Sequence, residues 1–161
     1  MNKKALYNLT YGVYLLSANE NGKDNACIIN TAVQVANNPV RITIAAIKGN
    51  LTHDMIINTK KFNISVISEK ANFELFKHFG FQSGREVDKF VDFVDKKEAN
   101  NGVMFITEQT NAYISGEVVE TVDEEVVEIP KKKKSKTKHY SFFKLSRMRI
   151  ESSTLMPLSV V

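Results

Sequence analysis

The stretch from Leu9 to Ile47, LTYGVYLLSANENGKDNACIINTAVQVANNPVRITIAAI, constrains the fold most. It holds three apolar, β-type segments, residues 9–18, 26–35 and 41–47, set apart by Asn21-Gly22 and by Asn38-Pro39. Asn-Gly favours the positive φ angles of a tight hairpin, and proline ends regular pairing because it lacks an N–H. Connections this short join antiparallel strands, whereas a parallel pair needs a crossover of about a dozen residues or more.

The apolar period then changes. NLTHDMIINTKKF predicts a short helix to about Thr59, with Thr52 as N-cap, Asp54 in the first turn and Met55 and Ile56 inward. FNISVIS, residues 62–68, reads as a strand with Phe62, Ile64 and Val66 on one side. KANFELFKHFG predicts a second helix, with Phe73, Phe76 and Phe79 at threes and Gly80 as its C-terminal glycine. Another helical turn is expected within 86–94, and VMFIT and NAYISGEVVETV supply the last clear strands. Strands outnumber helices, so the expected fold is mainly β with short helices, an antiparallel barrel or sandwich.

Cys27 is the single cysteine of 161 residues. An intramolecular disulfide, a cysteine-rich zinc site and an iron–sulfur site are thereby excluded for this chain alone, and a reducing compartment fits. The N-terminal MNKKALYNLTYGVYLLSANE superficially resembles a signal peptide, but Asn8 and Thr10 interrupt it and the alternation of Leu9, Tyr11, Val13 and Leu15 favours a strand. No apolar run approaches the roughly 20 residues that span a bilayer, and the expected location is the cytoplasm.

The net charge of +4 conceals an asymmetry. Residues 131–161 carry nine Lys or Arg and one acid, a local balance of +8, which leaves −4 for residues 1–130. The chain therefore divides into a domain over 1–122, extending to 130 if the next segment pairs, a charged Lys-rich linker over 123–138 and a C-terminal tail over 139–161. A lysine run without interleaved aromatics does not support base stacking, so nucleic acid is not an expected partner. Binding of an acidic partner by charge alone remains a competing use of Lys131–Lys138.

No nucleophile–base arrangement stands out, and His53, His78 and His139 lack metal-ligand spacing. Three segments instead place polar groups beside strand or helix ends. NACIINT offers Asn25, Asn30 and Thr31, with Cys27 between them. IKGNLTH offers Lys48, Asn50, Thr52 and His53 just before a helix N-terminus, where backbone N–H groups attract phosphate. FQSGREVDK offers Ser83, Arg85 and Lys89. Taken singly, each has a plainer reading: a helix cap, a turn, hydrogen bonds to nearby backbone, or a small buried thiol.

Together YGVYLLSA…NACIINTAVQVANNP, AAIKGNLTHDMI, FNISVIS and FGFQSGREVDKF resemble the flavin reductase-like family of FMN-binding split barrels, in the branch of flavoredoxins and the flavoprotein module of high-molecular-weight rubredoxins. The likeness covers about residues 5–122. It implies an antiparallel split β-barrel, a homodimer, and FMN reduced by NADH or NADPH, with electrons passed to free flavin or a small carrier protein. By the same likeness, Asn25, Cys27, Asn30 and Thr31 would line the isoalloxazine and ribityl chain. Lys48, Asn50, Thr52 and His53 would receive the phosphate, and Ser83, Arg85 and Lys89 would close the site. A flavin binder without turnover is the competing implication.

One departure stands out. Relatives continue past the equivalent of Asp123 with a Gly-Thr-His-type segment and a further strand, whereas this chain runs into EEVVEIPKKKK. A barrel strand is thus unaccounted for, to be supplied by EEVVEI, by the tail or by a second subunit. RIESSTL faintly resembles part of a rubredoxin, but the tail has no cysteine to hold iron.

Overall fold

The computed structural model describes residues 9, 11–124 and 140–151. Among these residues, nine strands and two helices follow in the order β1 (Tyr14–Glu20), β2 (Lys23–Ile29), β3 (Ala32–Asn37), β4 (Val40–Ile47), α1 (Leu51–Thr59), β5 (Lys61–Ile67), α2 (Phe73–Gly80), β6 (Lys96–Glu98), β7 (Met104–Ile106), β8 (Thr110–Glu124) and β9 (Tyr140–Glu151). Seven form one antiparallel sheet in the order β2-β1-β5-β8-β9-β4-β3, and β6 pairs with β7.

The hairpin signal is realised directly. Glu20 pairs with Lys23, and Asn21 and Gly22 take φ of 53° and 80° between them, which suits a two-residue loop of the primed type. The stretch 26–35 differs from expectation: it is two strands, broken at Asn30 and Thr31. These strands lie at opposite edges of the sheet. Flattened, seven strands would hold their edges about 29 Å apart, while three peptide steps from Ile29 to Ala32 reach about 11 Å at most. The sheet must therefore curl until its edges meet at Asn30–Thr31, and the expected antiparallel barrel follows from this connection.

The barrel interior is apolar. Leu16 and Ala18 of β1, Cys27 and Ile29 of β2, Ile42, Ile44 and Ala46 of β4, Phe62 and Ile64 of β5, and Val118 of β8 form one cluster, which Met55 and Ile56 of α1 complete. Alternation puts every second residue inside. Phe62 lies opposite Gly116, where a Cβ would come within 2.3 Å of its ring; the glycine makes room for the aromatic. Fully burying such a side chain contributes about 1.5–3 kcal/mol.

The outer face is covered too. Leu15 and Ala26 pack with Leu75 and Phe79 of α2 and with Phe90 and Ile106. Asn63 and Ser65, on the other side of β5 from Phe62 and Ile64, are fully buried. Asn63 Nδ2 donates to the Val103 carbonyl at 2.6 Å, and Ser65 Oγ accepts from Ile106 N–H at 3.3 Å. These bonds fasten the 101–106 segment over the sheet.

Four local expectations are corrected. Asn50, not Thr52, caps α1, its Oδ1 accepting from Thr52 N–H at 3.0 Å. Gly80 is the last residue of α2 and has no positive φ; Phe81 is the C-cap, in the right-handed region. Residues 86–94 form turns rather than a helix, because the Asp88 carboxylate takes the N–H groups of Phe90 and Val91 that a helix would use otherwise. The apolar strand expected from residue 9 begins at Tyr14.

β9 lies between β8 and β4, pairing Tyr113–Glu124 on one side and Thr43–Ile47 on the other. Residues of the segment set apart as a tail thus occupy the middle of the sheet. EEVVEI beyond Glu124, the lysine run and His139 lie outside the described residues. Among the described residues, no helix is long and apolar enough to cross a membrane.

Candidate functional site

A cavity of about 400 Å³ opens where the end of β2, the β4–α1 turn and the loop after α2 converge. Its wall includes Cys27, Lys48, Asn50, Ser83, Arg85 and Lys89. Residues from three segments more than twenty positions apart thus share one hollow. The β4–α1 turn passes through Gly49 at φ 84°, a conformation glycine adopts without the steric cost of a side chain. It delivers Lys48 and the capped start of α1 to the cavity together.

Gly84 fixes the approach of the loop. A Cβ there would lie 2.1 Å from Asn25 Oδ1, so the backbone of Ser83–Arg85 rests directly against β2. Asn25 is buried, and its Nδ2 donates to Thr52 Oγ1 at 2.9 Å. This bond ties β2 to the first turn of α1. Thr52, with no exposed surface, stands behind the cavity rather than in its lining.

The cations of this site differ in their surroundings. Arg85, with its side chain about half exposed, donates to an Asp54 carboxylate oxygen and, at 3.4 Å, to the Gly49 carbonyl. Asp54 also meets His53 Nδ1 at 2.8 Å. Burial works against the Asp54 carboxylate, but the hydrogen bonds and charges of His53 and Arg85 outweigh it and hold its pKa below the ordinary value. Lys89 is buried, and its ammonium donates to the carbonyls of Ala26 at 2.9 Å and Phe79 at 2.8 Å. Burial pulls its pKa down, and nearby Cys27 acts in the opposite sense. Burial pushes the Cys27 thiol up, against hydrogen bonds with Thr52 and Asn50 and the charge of Lys89.

The structure therefore gathers Asn25, Cys27, Lys48, Asn50, Thr52, Ser83, Arg85 and Lys89 in or directly behind one cavity. Buried His53 sits on the Asp54 side, outside the lining. Asn30 and Thr31 occupy the corner between β2 and β3, where Thr31 Oγ1 donates to Asn30 Oδ1, and they do not line the cavity. Sequence reasoning missed the Arg85–Asp54 pair and the part played by Gln82, Gly80 and Phe79 in the wall. The acid in the first turn of α1 was visible, but its partner lies 31 residues away and no local pattern announces it.

Residues 6–129 match the family model described as flavin reductase like domain. A high molecular weight rubredoxin of Moorella thermoacetica is 37% identical over 123 residues, which is 76% of this chain and 53% of that protein. A ferric-chelate reductase (NAD(P)H) of Archaeoglobus fulgidus is 32% identical over 123 residues, 76% of this chain and 72% of that protein. The chain thus spans about half the length of the first of these relatives. Among solved structures, flavoredoxin from Methanosarcina acetivorans has a TM-score of 0.66 at 21% identity, over 94% of this chain and 74% of that one. An NADH:FAD oxidoreductase of Streptomyces globisporus has a TM-score of 0.68 at 15% identity, over 93% and 84%.

Proposed function

The chain belongs to the flavin reductase-like domain family, and from that premise we propose that it binds FMN and acts as an NAD(P)H-dependent oxidoreductase, passing electrons to free flavin or a small carrier protein. The observation that carries this reading is the single cavity that unites Lys48 and Asn50 with Cys27 and with Ser83, Arg85 and Lys89.

The donor set fits the cofactor. Phosphate calls for cations, hydroxyls and a helix N-terminus, which Lys48, Arg85, Ser83 and the start of α1 provide on one wall. The ring system calls for a walled, partly apolar slot, which Cys27, Ile28, Phe79 and the glycines at 80 and 84 line. When bound, FMN supplies the hydride-accepting and electron-transfer chemistry. The protein's own residues then bind, orient and shield. Asn25 and Thr52 hold β2 and α1 in register behind the slot. Asp54 holds the Arg85 guanidinium over the mouth. Gly84 lets the loop close down on β2.

The reading includes a homodimer in the cytoplasm. Edge strand β3 leaves Val33 and Val35 more than half exposed, and Val119 and Val122 of β8 are exposed as well. Such apolar surface on a sheet supports a second copy as its cover. The functional unit is read as running to residue 151, since β9 joins β8 to β4.

The test is spectroscopic. Purified protein, or protein given FMN, is expected to retain the flavin and absorb as oxidised flavin, and NADH or NADPH is expected to bleach it. Lys48→Ala combined with Arg85→Ala is expected to weaken FMN retention at least tenfold, since charge-assisted hydrogen bonds contribute about 1.5–3 kcal/mol each. A chain that takes up no FMN overturns the reading. A yellow chain that neither nucleotide bleaches retains the binding and loses the enzyme.

A further inference from the structure

Lys89, at 3% exposure, is the one buried lysine or arginine within residues 11–122. An ammonium has three donors; two are given to the carbonyls of Ala26 and Phe79. No acid forms an ion pair with it among the described residues, unlike Arg85, which Asp54 holds, and Lys77, which Glu74 holds. Taking an ammonium out of water without a counter-ion costs several kcal/mol, and two carbonyl dipoles offset only part of that. Yet Lys89 also lines the cavity, beside Cys27 and Phe79. A cation at the inner wall of a hollow that no acid among the described residues compensates suits negative charge arriving from the hollow.

The other two cations of the cavity suit a phosphate better. Arg85 is about half exposed and Lys48 is partly exposed, so a strongly hydrated dianion can meet them while keeping part of its water. Lys89, at the buried end, meets a charge where the interaction is stronger than in bulk solvent. Resting on the FMN reading above, we propose that Lys89 is the counter-charge to the negative charge that the flavin ring system gains on two-electron reduction, and that it thereby sets the potential of the bound cofactor. Two electrons and one proton pass from dihydronicotinamide to the ring; the nicotinamide leaves oxidised, and the ring retains one added negative charge. Only an interaction that differs between the two redox states shifts their balance, and a fixed cation beside a neutral ring that becomes anionic has that property.

The experiment compares the full chain with Lys89→Met and Lys89→Arg, each loaded with FMN. Fluorescence quenching gives the dissociation constant for oxidised FMN, and equilibration with a redox dye gives the midpoint potential. In Lys89→Met the reduced cofactor is expected to lose at least tenfold more affinity than the oxidised cofactor, a potential lower by about 30 mV for each factor of ten. Lys89→Arg keeps the charge and is expected to restore most of the shift. An unchanged potential in Lys89→Met, or equal losses of oxidised and reduced affinity, would show that the lysine only braces two carbonyls and would overturn the inference. If Lys89→Met does not fold, the wild-type potential decides. One proton per two electrons gives a slope of about 30 mV per pH unit, expected to persist from about pH 7 down to about pH 5.5, and a slope of about 60 over that range overturns the inference. A wild-type chain that takes up no FMN defeats the cofactor reading itself, and this inference with it.

Discussion

Arg85 and Lys89 stand four residues apart in one loop and meet opposite environments. Arg85 lies at the mouth of the cavity, half exposed, paired with Asp54 and donating to the Gly49 carbonyl. Lys89 lies at the inner wall, buried, facing carbonyls and a thiol and no acid among the described residues. The same formal charge therefore has two physical meanings. An exposed ion pair contributes about 0–1 kcal/mol and is screened by salt; its value here is the placement of a guanidinium. A buried cation is costly, unscreened and fixed, and it repays that cost only when something negative joins it. The loop separates the two because Gly84 brings its first half onto Asn25, while the turn capped by Asp88 directs its second half under α2.

The comparison breaks altogether if the barrel beneath the loop is incomplete. Removing residues 140–151 is expected to abolish cooperative folding, because β8 and β4 would each lose their β9 neighbour in mid-sheet. Loss of the thermal unfolding transition by circular dichroism checks this, and a truncated chain that still melts cooperatively and binds FMN contradicts it. Next in size is Gly84→Ala. Its Cβ would collide with Asn25 Oδ1, and relieving that clash is expected to lift the loop, cost about 1–3 kcal/mol and weaken FMN binding in parallel. Denaturant unfolding and a flavin titration would together show whether mouth and inner wall are displaced at once. Thr52→Val tests the support behind the wall. It leaves Asn25 Nδ2 without its acceptor and is expected to cost about 1–3 kcal/mol, read from the midpoint of a urea curve.

The smallest effect concerns the mouth alone. The Asp54 pKa is depressed in the folded state, so the folded chain binds fewer protons there than the unfolded chain does. Its contribution to stability is complete above the unfolded value near 4 and is lost as pH falls through the folded value. Asp54→Asn is expected to flatten that part of the stability–pH curve and to lower the neutral-pH midpoint by the same small amount that wild type loses in acid. A variant whose curve still tracks wild type below about pH 4 would mean that other carboxylates carry the acid sensitivity.

Much of this was legible in the chain. Asn21-Gly22 specifies a hairpin through its own backbone preferences, and the folded chain has that hairpin. The segments IKGNLTH and FQSGREVDK were marked as anion-friendly from composition alone, and both line the cavity. The errors have local causes. Asn and Thr both cap helices well, so whether Asn50 or Thr52 does so depends on which side chain is wanted elsewhere; Thr52 is claimed by Asn25. Gly80 suggested a backbone requirement, yet neither it nor Gly84 has a positive φ. Gly84 permits close contact with Asn25, whereas a Cβ at Gly80 would meet Ile28 at an ordinary 3.4 Å.

Local grammar thus determined the strands, the two helices and the residue types offered to a phosphorylated cofactor, because turn chemistry and apolar period act over a few residues. Only the tertiary structure decided that β2 and β3 belong to opposite edges, that residues 140–151 enter the middle of the sheet, and that Lys89 is buried while Arg85 is not. Those outcomes depend on contacts between segments tens of residues apart, and the free energy of such contacts belongs to pairs and to shared burial, which a single stretch of chain does not carry.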